Sequence, residues 1–359
     1  MSIYIIVAIL SSFLMQIAAM TYDKNKLAFI ISFALFILFP SVIEGCRDWY
    51  VGEDMLSYGS YGFYNSLHYN DVFTYLRNET NKEQGFYILC YFCGKVGPIN
   101  FYMFIVALIK MILLGITCIH FRKISIIWLA VLGYMLIFYW YGFSLMRQTL
   151  ALCICLYSTI FLQKKKYISF FICIIIAYFF HNSAVFFVML PLIMFISKLK
   201  KRLSLVIIGA ILVYLAATVL FVFIATSGLF GEEMLERYEN SGVESSKTLL
   251  LITITFIITS MFHSDDKTIK FYVQAFSIII LMLLSLASNF AASFRVAFYF
   301  IIPMLFFITW FIESIKNPLH KFIVSFCLVF VYFLHIIIAA SHGMGGAYPY
   351  KSIILDSFL

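Results

Sequence analysis

Three arginines, Arg47, Arg147 and Arg295, stand at the ends of long apolar runs in a chain whose cations are mostly lysine. A guanidinium is a planar fork that grips phosphate or carboxylate through paired hydrogen bonds, which an ammonium cannot do. A charge held at a membrane boundary is costly and tends to mark a ligand path. Snorkelling would account for one such arginine. Three on one side point to an anionic ligand. Arg47 is followed by acids in GCRDWYVGEDMLSYG, namely Asp48, Glu53 and Asp54. An acid facing an outer cleft can take a proton from a hydroxyl group, and two acids can bind a divalent cation. Glu53, beside Gly52, reads as a solvated turn residue. His181 ends the uninterrupted run SFFICIIIAYFF and precedes Asn182 and Ser183. It is either a structural hydrogen-bonder or a second candidate base.

Other chemistry-bearing residues carry less. His68, His263 and His342 read as loop residues, and Lys110 lies inside an apolar run with no role assigned. Cys90-x-x-Cys93 has no second pair or nearby histidine, so it reads as small packing residues on a helix. No phosphate-binding glycine loop, dinucleotide fingerprint, zinc-protease motif or nucleophile elbow is present.

The elements that must hold these residues are membrane helices. Of 359 residues, 64% are hydrophobic and 12% charged, far from the balance of a soluble domain. Soluble enzymes, disordered chains and disulfide scaffolds are excluded. Continuous rather than alternating apolar runs argue against a β-barrel. Twelve spans are expected, at about 3–20, 27–44, 99–120, 124–143, 147–163, 167–180, 183–197, 203–226, 248–262, 269–289, 295–312 and 322–340. The pair 167–180 and 183–197 is short and lies between the basic clusters Lys164–Lys166 and Lys198–Arg202, so it must go out and return, with His181 at its outer tip.

Charge orients this threading. The formal net charge is +8, and the loops placed inside hold 15 basic and 4 acidic residues. Under the positive-inside rule the excess is an insertion signal, not a nucleic-acid surface, and both termini lie outside. The N-terminus lacks the basic region of a cleaved signal peptide. The whole chain, 1–359, reads as one transmembrane helical domain. Its outer side carries a long loop at 45–98 with interfacial helices, a second loop at 227–247, and a tail at 341–359.

Read in order, these pieces resemble the EpsG family of bacterial polysaccharide polymerases, a branch of the Wzy-type O-antigen and capsule polymerases. The resemblance rests on Arg47 followed by Val51-Gly52-Glu53-Asp54 and Tyr58, then Glu83-x-Gly85-Phe86. It continues with Met146-Arg147-Gln148-x-x-Ala151 and Ala177-x-x-Phe180-His181-x-Ser183-Ala184. Arg237-Tyr238, Arg295-x-x-x-Tyr299 and Tyr348-Pro349-Tyr350 complete it.

The resemblance implies a membrane glycosyltransferase with a C-type (GT-C-like) fold. It would work at the outer face of the bacterial cytoplasmic membrane on undecaprenyl-pyrophosphate-linked oligosaccharides. A growing glycan would pass from its lipid pyrophosphate to an incoming lipid-linked repeat unit. The family's partners would be these lipid-linked glycans, membrane lipids, a chain-length regulator and a flippase. No cofactor is expected, because the lipid pyrophosphate is itself an activated leaving group. On this reading Arg147 and Arg295 hold the pyrophosphate, with Arg47 or Arg237 assisting. Asp54 is favoured as base, His181 stands next, and direct attack inverts the anomeric centre. Tyr58, Glu83, Gln148, Tyr238, Tyr299 and Tyr350 contact substrate. A flippase or transporter is the first rival, weakened by the absence of an internal repeat. An acyltransferase using His181 needs that residue inside. A ligase that caps rather than polymerises uses a similar donor and stays open.

Overall fold

The computed structural model describes residues 1–79, 83–226, 243–287, 291–352 and 354, and these form helices joined by short turns, with no strand among them. The chain divides into two compact units. The first comprises Met1–Lys123, Ile127–Val185 and Ile336–Leu359, and the second Ile124–Ile126 and Phe186–His335.

In the first unit, α1 (Ser2–Thr21) and α2 (Lys26–Cys46) form an antiparallel pair. The Asn25 side chain caps α2 by accepting the Ala28 N–H at 3.1 Å. The outer loop of the sequence reading then folds into a π-helical turn at Met55–Gly59, α3 (Ser60–Ser66), α4 (Val72–Asn78) and α5 (Gln84–Gly94). Next come α6 (Ile99–Phe121) and α7 (Ile127–Tyr134), which passes through a second π turn at Met135–Tyr139 into α8 (Tyr141–Ser144). Leu145, at φ −123° and ψ 53°, breaks the helix, and α9 (Met146–Gln163) starts afresh, followed by α10 (Tyr167–Phe180). Helix α6 packs on α2 and α9, α9 on α10, and α10 on α5.

A 3-10 turn (Asn182–Val188) begins in the first unit and ends in the second, which holds α11 (Met189–Ile196), α12 (Arg202–Thr226), α13 (Val243–Ser260), α14 (Lys267–Leu286) and α15 (Ala291–Glu313). Helix α14 packs against α12, α13 and α15. Helix α16 (Pro318–Ser341) runs from this unit into the first.

Among the described residues, eight helical stretches are long and apolar enough to cross a bilayer: α1, α2, α6, Ile127–Ser144, Arg202–Val219, α14, Ala292–Glu313 and α16. The chain is therefore a polytopic all-helical membrane protein. Eight of the twelve expected spans match these stretches, and four do not reach that standard. Arg147, Gln148 and Gln163 lower the hydropathy of α9. Tyr167–Phe180 has 14 residues, about 21 Å at 1.5 Å per residue, against about 30 Å of hydrocarbon. Asn182–Ile196 and Leu249–Ser260 are also short.

Contacts sort the ends of the first unit into two faces. At one end, Asp23 accepts two hydrogen bonds from Arg122, at 2.8 and 3.0 Å, and His120 meets Gln163. At the other, the tail folds back onto the start of the chain. Gly52 N–H donates to Gly346 O at 3.0 Å, Asp48 N–H to Lys351 O at 2.9 Å, and the Tyr4 hydroxyl to Ala347 O. The start of α1, the 47–52 turn and the tail thus share one side.

Between the faces, Glu44 on α2 meets Lys110 on α6 at 2.7 Å, their side chains 1% and 3% exposed. Each neutralises a charge that hydrocarbon would not tolerate alone. This supplies the partner that Lys110 lacked in the sequence reading.

Candidate active site

The site is built from three stretches of the first unit. Arg147 lies in the first turn of α9, directly after the Leu145 break. His181 ends α10 in extended backbone, its N–H still bonded to Ala177 O at 2.9 Å. Glu83 immediately precedes α5. A Cβ on Gly85 would lie 3.1 Å from Phe179 O and 3.3 Å from the Phe180 ring, so the glycine lets α5 approach the end of α10 closely. That approach brings Glu83 to His181.

The Glu83 carboxylate bridges the other two. One oxygen lies 2.6 Å from Arg147 Nη1. The other lies 3.1 Å from His181 Nδ1 and accepts the Asn182 N–H at 3.2 Å. Side-chain exposures are 9% for Glu83, 17% for Arg147 and 18% for His181, so the cluster is largely withdrawn from solvent yet reachable. Burial alone would raise the Glu83 carboxyl. The His181 hydrogen bond and charge, the Arg147 charge and the Asn182 N–H outweigh it and hold the group below the usual carboxylate range.

Aromatic faces set the guanidinium. Arg147 Cζ lies 3.5 Å from the centre of the Tyr58 ring and 5.9 Å from that of Phe86. Tyr58 sits in the π turn and meets Phe86 edge to face at 5.8 Å. The Tyr58 hydroxyl is pushed above its ordinary range by burial and by Asp54, which hydrogen-bonds it. Asp54 is buried, 8% exposed, and Gln148 is buried beside Arg147 on α9. The structure thus brings together Arg147, His181, Glu83, Tyr58 and Asp54, five residues singled out by sequence.

It places the others elsewhere. Arg47 is 0% exposed. Its Nη1 donates to Val51 O at 2.8 Å, its Nη2 lies 3.3 Å from Met146 Sδ, and the guanidinium covers the Phe143 ring at 4.4 Å. Gly52 turns at φ +102°, where a Cβ would lie 2.0 Å from Phe143 O. Arg47 therefore fastens the 47–52 turn. Asp48 accepts the Tyr50 hydroxyl at 2.7 Å, and Glu53 is exposed. Tyr350 donates to Ile43 O at 2.8 Å and packs near Tyr4 and Phe143, within the tail contacts. In the second unit, Arg295 is exposed and Tyr299 is buried on α15. Arg237 and Tyr238 lie outside the described residues. Among the described residues no group of three or more His, Cys, Asp or Glu side chains is placed to hold a metal.

Sequence reasoning named Glu83 but missed that it joins Arg147 to His181, and it missed Phe86 as a second ring beside the guanidinium. The Glu83-x-Gly85-Phe86 triplet was the available signal.

Chemically, the arrangement offers a held cation for an anionic group and an imidazole oriented by a carboxylate. With Nδ1 facing Glu83, Nε2 is the nitrogen that would accept a proton.

The family model described as EpsG family matches residues 30–352. No curated protein and no solved structure matches the chain.

Proposed function

The chain belongs to the EpsG family, and from that premise we propose that it polymerises lipid-linked oligosaccharides into surface polysaccharide. The family supports a polysaccharide polymerase role in general terms. The finer reading is ours. The donor is a glycan on undecaprenyl pyrophosphate, the acceptor a lipid-linked repeat unit, and the site faces outward from the bacterial cytoplasmic membrane. Twelve crossings, with the short helices completing the count, and a C-type glycosyltransferase fold belong to the same proposal. The shared side of the N-terminus, the 47–52 turn and the tail supports a threading with both termini outside.

One observation carries the chemistry: Glu83 joins a ring-stacked arginine to a histidine. Arg147 takes the pyrophosphate. It sits in the first turn of α9, where the helix dipole also favours an anion. Glu83 neutralises the cation at this helix start in the empty site, and a pyrophosphate would take over that role. Arg295 and Arg237 are candidate pyrophosphate ligands on the sequence alone. Arg47, enclosed by its own turn, touches Met146 beside Arg147.

His181 is preferred to Asp54 as base, because Glu83 orients its imidazole while Asp54 hydrogen-bonds Tyr58. In the reaction, the acceptor hydroxyl oxygen forms a bond to the donor's anomeric carbon as the bond from that carbon to the pyrophosphate oxygen breaks. The hydroxyl proton moves to His181 Nε2 and then to water, and lipid pyrophosphate leaves against Arg147. Single displacement inverts the anomeric centre. General-base help of this kind contributes about 10²–10⁴-fold.

The test is deletion of the gene followed by analysis of surface glycan. Loss of long polymer with retention of one-repeat glycan supports polymerisation. Lipid-linked repeats accumulating on the inner leaflet would indicate a flippase, and loss of every glycan attachment would indicate a ligase.

A further inference from the structure

We propose that Glu83 is a positioning residue that makes His181 answer to occupation of Arg147. The proposal rests on the reading of Arg147 as the pyrophosphate site. In the structure Glu83 divides one carboxylate between two partners, 2.6 Å from Arg147 Nη1 and 3.1 Å from His181 Nδ1. The shorter contact goes to the guanidinium. A carboxylate and a pyrophosphate suit the same donors on that fork, so an incoming anion competes directly with Glu83.

Arg147 has little room to serve both by turning. Its guanidinium carbon lies 3.5 Å from the centre of the Tyr58 ring and 5.9 Å from that of Phe86. When pyrophosphate takes the donors, like-charge repulsion drives the Glu83 carboxylate away from Arg147. Its other partners are already in place, namely His181 Nδ1 and the Asn182 N–H. A carboxylate committed wholly to Nδ1 stabilises the imidazolium, and Nε2 becomes the stronger base. The empty site keeps Arg147 neutralised, and the loaded site strengthens the base.

The groups around this switch come from each neighbouring element. Arg147 projects from α9, Glu83 stands before α5, and Tyr58 and Asp54 come from the outer-loop π turn and its start. From its own segment, Ser183 also faces His181 Nδ1, its N–H donating at 3.5 Å and its Oγ lying at 3.4 Å. Of these, Glu83 contacts both Arg147 and His181.

Inorganic pyrophosphate is the probe, added to the purified full-length chain in detergent. Binding is followed by calorimetry, and the titration of the His181 ring by NMR with histidine-labelled protein, its signal assigned through His181→Gln. The bound anion acts on His181 through space in any variant, so Glu83→Gln isolates the relay while keeping a hydrogen-bond acceptor.

Three results are expected together. Arg147→Gln weakens pyrophosphate binding at least tenfold. Glu83→Gln tightens it severalfold, because the competitor charge is gone. Pyrophosphate raises the His181 titration midpoint more in the wild type than in Glu83→Gln. Arg147-dependent binding with equal midpoint rises in both proteins overturns the relay and leaves the pyrophosphate site standing. Binding that ignores Arg147 overturns both. If Glu83→Gln fails to fold, Glu83→Asp serves, with a shorter reach and a smaller midpoint rise than the wild type.

Discussion

Arg147 lies with its guanidinium carbon 3.5 Å from the centre of the Tyr58 ring, while its Nη1 meets Glu83 Oε2 at 2.6 Å. One face of the cation is therefore covered and one edge is held, which fixes the direction in which an anion can approach. An ammonium could neither lie flat on the ring nor offer two parallel donors. Arg147→Lys should lower polymer formation on purified lipid-linked repeats by about 10²-fold or more, the scale of losing one preorganised charge-stabilising donor. Protein yield and thermal stability should stay near the wild type. Tyr58→Phe keeps the ring and should retain most activity. Tyr58→Leu should lose about 0.5–2 kcal/mol of guanidinium positioning, seen mainly in KM. Equal activities for the Phe and Leu variants would show that the ring does not position Arg147.

Arg47 and Arg147 look alike in sequence, each at the end of an apolar run, and they part in the structure. Arg47 is enclosed, bonded to Val51 O at 2.8 Å and resting on Phe143. Its loss strands the Val51 carbonyl and loosens the turn that also holds the tail through Gly52 N–H and Gly346 O. Arg47→Ala should therefore lower stability, by about 1.5–3 kcal/mol for the charged hydrogen bond alone. Unfolding in detergent and protease cleavage of the tail would report it. Arg147→Ala also costs stability, because it takes one partner from Glu83, but it should leave protease cleavage of the tail unchanged. A normal unfolding temperature for Arg47→Ala, with activity lost, would move Arg47 back among the ligand-binding residues.

How much was legible follows from where the determinants lie. The runs that became α1, α2, α6 and α16 are local and continuous, so hydropathy finds them. The division between 124–143 and 147–163 also shows, because Arg147 and Gln148 interrupt the run where Leu145 breaks the helix. The short returning pair is helical, but Asn182–Val188 is wound as a 3-10 turn, which apolar pattern does not distinguish from α. The enclosure of Arg47 was not legible, because its surroundings are assembled from Phe143, Met146 and a turn tied to Gly346, far along the chain. The bridge from Glu83 to His181 spans 98 positions, and it depends on a close approach at Gly85 that spacing alone cannot reveal.

The Glu44–Lys110 pair yields a test independent of catalysis. Both side chains are almost fully enclosed, at 2.7 Å from one another. Removing one partner leaves a lone charge in an apolar setting, at a cost of about 3–5 kcal/mol, whereas replacing both with apolar side chains of similar size is often neutral. Glu44→Gln and Lys110→Met should each reduce membrane yield and unfolding temperature sharply. The double variant Glu44→Met with Lys110→Met should recover most of both. A double variant as unstable as the worse single one would mean that the charges, not their mutual compensation, are needed.

Glu83 predicts how stability responds to acid. Its carboxyl is held below the usual range by His181, Arg147 and the Asn182 N–H despite its burial. A carboxyl depressed in the folded state stabilises the fold fully above its unfolded value, near 4.3. That contribution disappears as the pH falls through the lower folded value. The wild type should accordingly lose stability steeply below about pH 4.3, because the unfolded chain takes up this proton first. Glu83→Gln should be less stable than the wild type at pH 6, yet decline less over the acidic range, so that the two unfolding curves converge. Denaturant unfolding in detergent at several pH values measures the gap. A gap that stays constant down to pH 3 would show that the Glu83 contacts stabilise the fold through shape rather than charge.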